Sequence, residues 1–157
     1  MAPDNSTRLA RQVALAVPAL LLGGALISQY GFGLYPCEMC MWQRYPHYAA
    51  IGLALLASFI EPKRVWTALA ALAILVSGAI GAFHAGVEQG WWEGLTGCAT
   101  VVSATEGNAL EAILNAPIVR CDEIPWSFLG LSLAAWNFVI STLAGLAILA
   151  LLAKGRP

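Results

Sequence analysis

At 157 residues the chain is one domain long, with 59% apolar and 11% charged residues and a mean hydropathy of +0.72. A soluble domain carries about 25% charged residues, so this composition excludes an ordinary water-facing globule and requires a membrane. A net charge of −1 offers no basic surface to a nucleic acid.

The first apolar run lies between Arg11 and Glu38, 26 residues without a charge. A helix needs about 20 apolar residues to cross ~30 Å of hydrocarbon, and a span over 12–30 is predicted. A cleaved signal peptide would also put Arg8 and Arg11 ahead of an apolar stretch. This stretch exceeds the roughly 7–15 residues of a signal core, and no small-x-small site ends it, so the helix is read as retained. The second run, Tyr45 to Ile60, has only 16 residues, which reach about 24 Å at ~1.5 Å per residue. It spans if the helix takes in Met41, Trp42 and Arg44, giving 41–60. Pro46 removes a backbone donor there and opens the helix to a bend. The third run, between Arg64 and Glu88, has 23 residues and predicts 65–86. The fourth runs for 30 residues between Glu123 and Lys154, strongly apolar from Phe128, and predicts 128–153.

Four spans form an all-α membrane bundle in which the outer segments alternate sides. Arg8, Arg11, Lys63, Arg64, Lys154 and Arg156 share one side, six of the eight basic residues. Basic residues mark the cytoplasmic face, so both termini are expected there. The loops 31–40 and 87–127 then face outward with all four cysteines, and most of the tryptophans and tyrosines gather at that boundary as an interfacial belt. Within the longer loop, Ser103 and Glu106 have capping-box spacing. Leu110, Ile113 and Leu114 follow on one face before Pro117. A short amphipathic helix is expected there, lying on the membrane or on the bundle top.

Cys37 and Cys40 form a C-x-x-C at the outer start of the second helix; Cys98 and Cys121 lie in the longer loop. Structural disulfides would suit Cys98 with Cys121, where closing the loop is worth roughly 3 kcal/mol. They suit a C-x-x-C poorly, because it closes almost no loop and its thiols and disulfide interconvert easily. Zinc would want a second C-x-x-C knuckle, so no metal is expected. Redox work remains. A helix N-terminus and a nearby cation both lower a thiol pKa, and Cys40 has Arg44 one turn on. An arginine drawn below the headgroups is costly and marks a function unless it snorkels out. His47 shares the Arg44 face, and His84 lies near the outer end of the third helix; both are expected to line the same site.

The stretch Pro36-Cys37-Glu38-Met39-Cys40-Met41-Trp42-Gln43-Arg44 resembles the P-C-x-x-C-x-x-Q-R signature of the disulfide-bond formation protein B family, DsbB. Arg120-Cys121 and Pro125-Trp126-Ser127-Phe128-Leu129-Gly130-Leu131-Ser132 are similar to that family's return into the last helix. The resemblance covers essentially the whole chain. It is weak on the C-x-x-C alone and strong once that is joined to Gln43-Arg44, the outward side and the second cysteine pair. It is not diagnostic over 99–118, and carries over to His84 less firmly than to the cysteines. It implies a bacterial inner-membrane enzyme with periplasmic cysteines. A soluble thioredoxin-fold partner like DsbA would attack the Cys98–Cys121 disulfide at Cys98. Cys121 would attack Cys37, and Cys40 would be freed beside a membrane quinone, ubiquinone or menaquinone, with Arg44 stabilising the charge. The vitamin K epoxide reductase family also couples thiols to quinone, but its active C-x-x-C lies near its last core helix. A disulfide-stapled scaffold without turnover is the non-enzymatic alternative, and it has no use for Arg44.

Overall fold

The computed structural model describes residues 5–96, 99–100 and 118–155. Cys98 and the expected amphipathic helix lie outside them. Among the described residues four helices carry the fold: α1 Asn5–Phe32, α2 Glu38–Phe59, α3 Lys63–Glu88 and α4 Leu133–Lys154. α3 packs most extensively on α2 and α4, while α1 rests on those same two and barely touches α3. The helices therefore stand in a ring with α1 and α3 on opposite corners.

Each boundary has a local cause. The Cys37 side chain caps α2 by accepting from the Cys40 N–H at 3.2 Å, so the helix begins at Glu38 and runs unbroken through Pro46. α4 starts at Leu133 rather than at Phe128, because Ser127–Phe128 (β3) and Leu131–Ser132 (β4) pair as a hairpin. Its two central residues, Leu129 and Gly130, have φ of 52° and 79°, the left-handed pair that a tight two-residue hairpin turn requires. Ser132 then caps α4 by accepting from the Ala135 N–H at 3.1 Å. Earlier in the chain, Ala99–Thr100 (β1) pairs antiparallel with Ile118–Val119 (β2).

The bundle reverses the soluble pattern. Leu20, Ile27, Phe59, Leu143 and Leu146 point outward, each more than half exposed, whereas Gln43, Arg44, His47, Ser77, His84 and Ser141 are buried inside. The apolar interior is made of small residues: Ala10, Ala14, Ala50, Ala54, Ala70 and Ala71, closed by Ile74, Ile148 and Leu152. Small side chains let helices in lipid approach closely and gain dispersion and hydrogen bonds. Gly81 shows how closely: a Cβ there would stand 2.9 Å from the Ala134 carbonyl and 3.0 Å from the Phe138 nitrogen. At the end where the basic residues gather, Arg64 donates to the carbonyls of Leu152 and Gly155 at 2.6 and 2.8 Å, closing the C-terminus of α4.

Three helices, α1, α3 and α4, are long and apolar enough to cross a membrane; α2 is not among them. Its 22 residues match α4 in length, but Gln43, Arg44 and His47 lower its apolar content. All three are buried in the bundle, so the deficit reflects the inner face of α2.

Candidate functional site

The N-terminal ends of α2 and α4 and the C-terminal end of α3 meet the returning loop around three thiols. Cys37 and Cys121 are buried, and Cys40 is partly exposed. Cys37 Sγ and Cys40 Sγ are 3.0 Å apart, as the C-x-x-C across the first turn of α2 imposes. His84 Nε2 lies 3.6 Å from Cys37 Sγ and 3.2 Å from the Cys121 carbonyl oxygen. The Sγ atoms of Cys37 and Cys121 and a ring nitrogen of His84 all fall within 4.8 Å of one another. That closeness suits thiol exchange, and the same S₂N set has donors a thiophilic cation would accept. Thr96 Oγ1 sits 3.2 Å from Cys121 Sγ.

Both thiols of the C-x-x-C belong to the segment 31–40, outside the span read from Met41 onward. Cys37 is pushed up to about 12, first by its hydrogen bond with Cys40 and then by burial, while His84 acts against the rise. Cys40 moves the other way. The hydrogen bond from Cys37 holds it below the ordinary thiol range, against its burial. Burial pushes the Cys121 thiol up, with Thr96 opposing. The helix N-terminus and Arg44 are the causes the sequence suggests for a depressed Cys40. The hydrogen bond from Cys37 is the leading one instead, and Arg44 engages α1, donating to Gln29 Oε1 at 2.6 Å and to the Ala25 carbonyl at 3.3 Å.

This asymmetry has a measurable result. Between the depressed pKa of Cys40 and about 12 for Cys37, Cys40 is the thiolate and Cys37 the thiol, and only the thiolate is the nucleophile. In reduced protein carrying Cys98→Ala and Cys121→Ala, limiting iodoacetamide at pH 8 should modify Cys40 first. The rate should rise with pH and level off below 9. Peptide mass spectrometry showing first modification at Cys37 would reverse the assignment.

Two cavities flank the pair. The first, about 330 Å³, is bounded by α1, α2 and α4; Cys40, Arg44 and His47 line it together with apolar residues such as Leu21, Trp126 and Trp136. The second, about 260 Å³, is lined by Cys37, Cys40, His84, Glu88, Arg120 and Glu123. Cys40 faces both; Cys37 lines only the second, and Arg44 and His47 only the first. The structure thus gathers Cys37, Cys40, Cys121 and His84 around one centre and places Arg44 and His47 on the wall of the adjoining cavity.

Sequence reasoning missed four contributors. Gln29 anchors Arg44. Asn137 accepts from His47 at 2.9 Å and donates to Gln43 at 2.8 Å. Ser77 donates to the Gln43 carbonyl at 2.8 Å. Glu88 accepts from Ser132 Oγ and stands 3.9 Å from His84. Gln29, Ser77 and Asn137 could have been found as polar residues inside apolar runs, and Glu88 as the acid one turn beyond His84.

The sequence also matches known proteins. The family described as Disulfide bond formation protein DsbB matches residues 7–152. A protein named Disulfide bond formation protein B from Verminephrobacter eiseniae is 39% identical over 160 residues, covering 94% of this chain and 86% of that protein. Proteins of the same name from Aromatoleum aromaticum and from an Acidovorax species are each 33% identical. They cover 96% and 97% of this chain, and 95% and 91% of their own lengths. No solved structure matches. A family match over nearly the full length, a C-x-x-C at the head of a helix whose inner face is polar and three membrane-compatible helices converge, and the chain belongs to the DsbB family as a membrane oxidoreductase of disulfide bond formation.

Proposed function

We propose that the protein oxidises a soluble thioredoxin-fold dithiol partner like DsbA and passes the two electrons to a membrane quinone. In this reading all four helices span a bacterial inner membrane, both termini are cytoplasmic and the cysteines face the periplasm. Cys98 takes the partner in a mixed disulfide, Cys121 attacks Cys37, and Cys40 leaves as the thiolate. Overall, two electrons and two protons leave the partner's dithiol and reach the acceptor.

The observation that carries this reading is the C-x-x-C between two unlike cavities. The more polar one, with Cys37, opens toward the segment holding Cys121. The apolar one, with Cys40, has the Arg44 guanidinium on its wall. Its volume of about 330 Å³ lies within the range of roughly 300–1,000 Å³ typical of small-molecule sites. A guanidinium with five donors suits a carbonyl oxygen that gains charge on reduction. A quinone bound there would supply a two-electron acceptor soluble in lipid. Cys40 would meet it as a thiolate, Arg44 would donate to its oxygen, and His47 would complete the wall, while His84 serves the thiol side. The β1–β2 ladder also favours the Cys98–Cys121 pair, since β1 directly follows Cys98 in sequence and β2 ends two residues before Cys121.

Purified protein given a soluble ubiquinone analogue and a reduced thioredoxin-fold dithiol protein should consume one quinone per dithiol oxidised, followed by ultraviolet absorbance. Cys40→Ser should abolish the signal. A disulfide-stapled scaffold would leave the quinone spectrum unchanged with the wild-type protein.

A further inference from the structure

The polar side chains inside the bundle form a chain of hydrogen bonds with a fixed direction. It starts at the backbone carbonyl of Ser77, which can only accept. Asn137 Nδ2 stands 3.1 Å from that oxygen, so the amide nitrogen faces it. The same nitrogen donates to Gln43 Oε1 at 2.8 Å. Asn137 Oδ1, on the other side, accepts from Ser141 Oγ at 2.9 Å. With its oxygen taken as acceptor, Gln43 presents Nε2 as donor, to the Met39 carbonyl at 3.3 Å and to His84 Nδ1 at 2.8 Å. Two backbone carbonyls at opposite ends, Ser77 and Met39, thus require the same orientation of both amides.

The consequence falls on His84. An N–H aimed at Nδ1 needs a bare lone pair there, and a neutral imidazole then carries its proton on Nε2. Three groups surround Nε2: the Cys121 carbonyl at 3.2 Å, Cys37 Sγ at 3.6 Å and Glu88 Oε1 at 3.9 Å. The Cys121 carbonyl and Cys37 Sγ can accept that proton in a hydrogen bond, and the Glu88 carboxylate favours it at longer range. We propose that Gln43, oriented by Asn137, is a positioning residue that holds His84 neutral with its proton on Nε2, so that the ring meets the Cys37–Cys121 exchange site as a hydrogen-bond donor and not as a base. The proposal rests on reading Cys37 and Cys121 as exchange partners. In that step the Cys121–Cys37 bond forms, the Cys37–Cys40 bond breaks and the electron pair leaves on Cys40. His84 moves no proton; its N–H steadies negative charge on the sulfurs beside it. A bare Nε2 would turn a lone pair toward an attacking thiolate and oppose it.

Nitrogen-15 NMR of histidine-labelled protein tests this directly, because the chain has only two histidines and a His47→Phe sample assigns them. Wild-type His84 should show a protonated Nε2 and a bare Nδ1. Gln43→Glu puts an acceptor where the donor stood and should move the proton to Nδ1. Gln43→Leu, which removes both groups, should leave the two tautomers mixed. In Gln43→Glu carrying Cys98→Ala, formation of the Cys121–Cys37 disulfide with release of Cys40, followed by iodoacetamide capture of Cys40, should slow by roughly tenfold, since the donor beside the attacking Cys121 sulfur is lost. A wild-type spectrum with the proton on Nδ1 would overturn the inference without any variant having to fold, and so would an unchanged tautomer in Gln43→Glu. Neither readout involves quinone or partner. The expected spectra from a protein that reduces no quinone would sink the proposed function alone; active protein with the wrong tautomer would sink this inference alone.

Discussion

Arg44→Met should lower kcat/KM for quinone by roughly 10–100-fold, the loss expected when one charge-assisted hydrogen bond of about 1.5–3 kcal/mol disappears from a buried site. The side chain is 8% exposed and lines the apolar cavity. Its bonds to Gln29 and the Ala25 carbonyl hold the guanidinium on the cavity wall instead of letting it reach outward. Arg44→Lys keeps the charge but loses the planar fork, so its main effect should be a higher KM for quinone. Both variants should still exchange disulfides with the soluble partner, because Cys98 and Cys121 lie in a different segment. Quinone kinetics equal to wild type in both variants would mean that Arg44 serves only to tie α1 to α2.

The second large effect concerns the order of the relay. Cys121→Ala should accumulate a mixed disulfide between Cys98 and the thioredoxin-fold partner, visible as a band lost on reduction, and quinone turnover should stop. The cause is geometric. Among the described residues Cys121 is the loop thiol within reach of Cys37, their Sγ atoms lying within 4.8 Å, and in the proposed relay removing it strands the partner on Cys98. The trapped species should vanish when Cys98→Ala is added; its persistence would refute the assignment. Cys37→Ser and Cys40→Ser should also stop quinone reduction while the bundle stays folded, since the pair closes almost no loop. Circular dichroism showing gross unfolding of Cys40→Ser would favour a structural disulfide.

The parts legible in the sequence were those governed by apolar length and by local motif. α1, α3 and α4 follow from uninterrupted apolar runs, and the thiol centre from Cys37, Cys40 and the Gln43-Arg44 pair that follows. α2 was harder, because its inward face carries Gln43, Arg44 and His47, and hydropathy cannot tell a polar residue facing a bundle interior from one facing water. The start of α4 moved from Phe128 to Leu133 because Leu129 adopts a left-handed conformation more usual for glycine, which no propensity would assign to leucine. The part assigned to Arg44 in the Cys40 depression differs for a related reason. Four-residue spacing places Arg44 one turn from Cys40, but the side chain finds acceptors on α1, and a contact between helices leaves no trace in spacing. Asn137 lies about 90 residues from the histidine whose ring it holds, a distance that no single-sequence pattern spans.

The two cavities that meet at the C-x-x-C also bear on steady-state kinetics. In the proposed reaction the oxidant and the reductant occupy separate compartments, and electrons cross between them only through the Cys37–Cys40 bond. Neither reactant has to depart before the other arrives. An inert ring compound lodged beside Arg44 would therefore depress the maximal velocity with respect to the dithiol protein without competing for its docking place. Raising the dithiol concentration would not relieve that block, so an inhibitor of the lipid-facing compartment would keep its potency however much unoxidised partner accumulates outside.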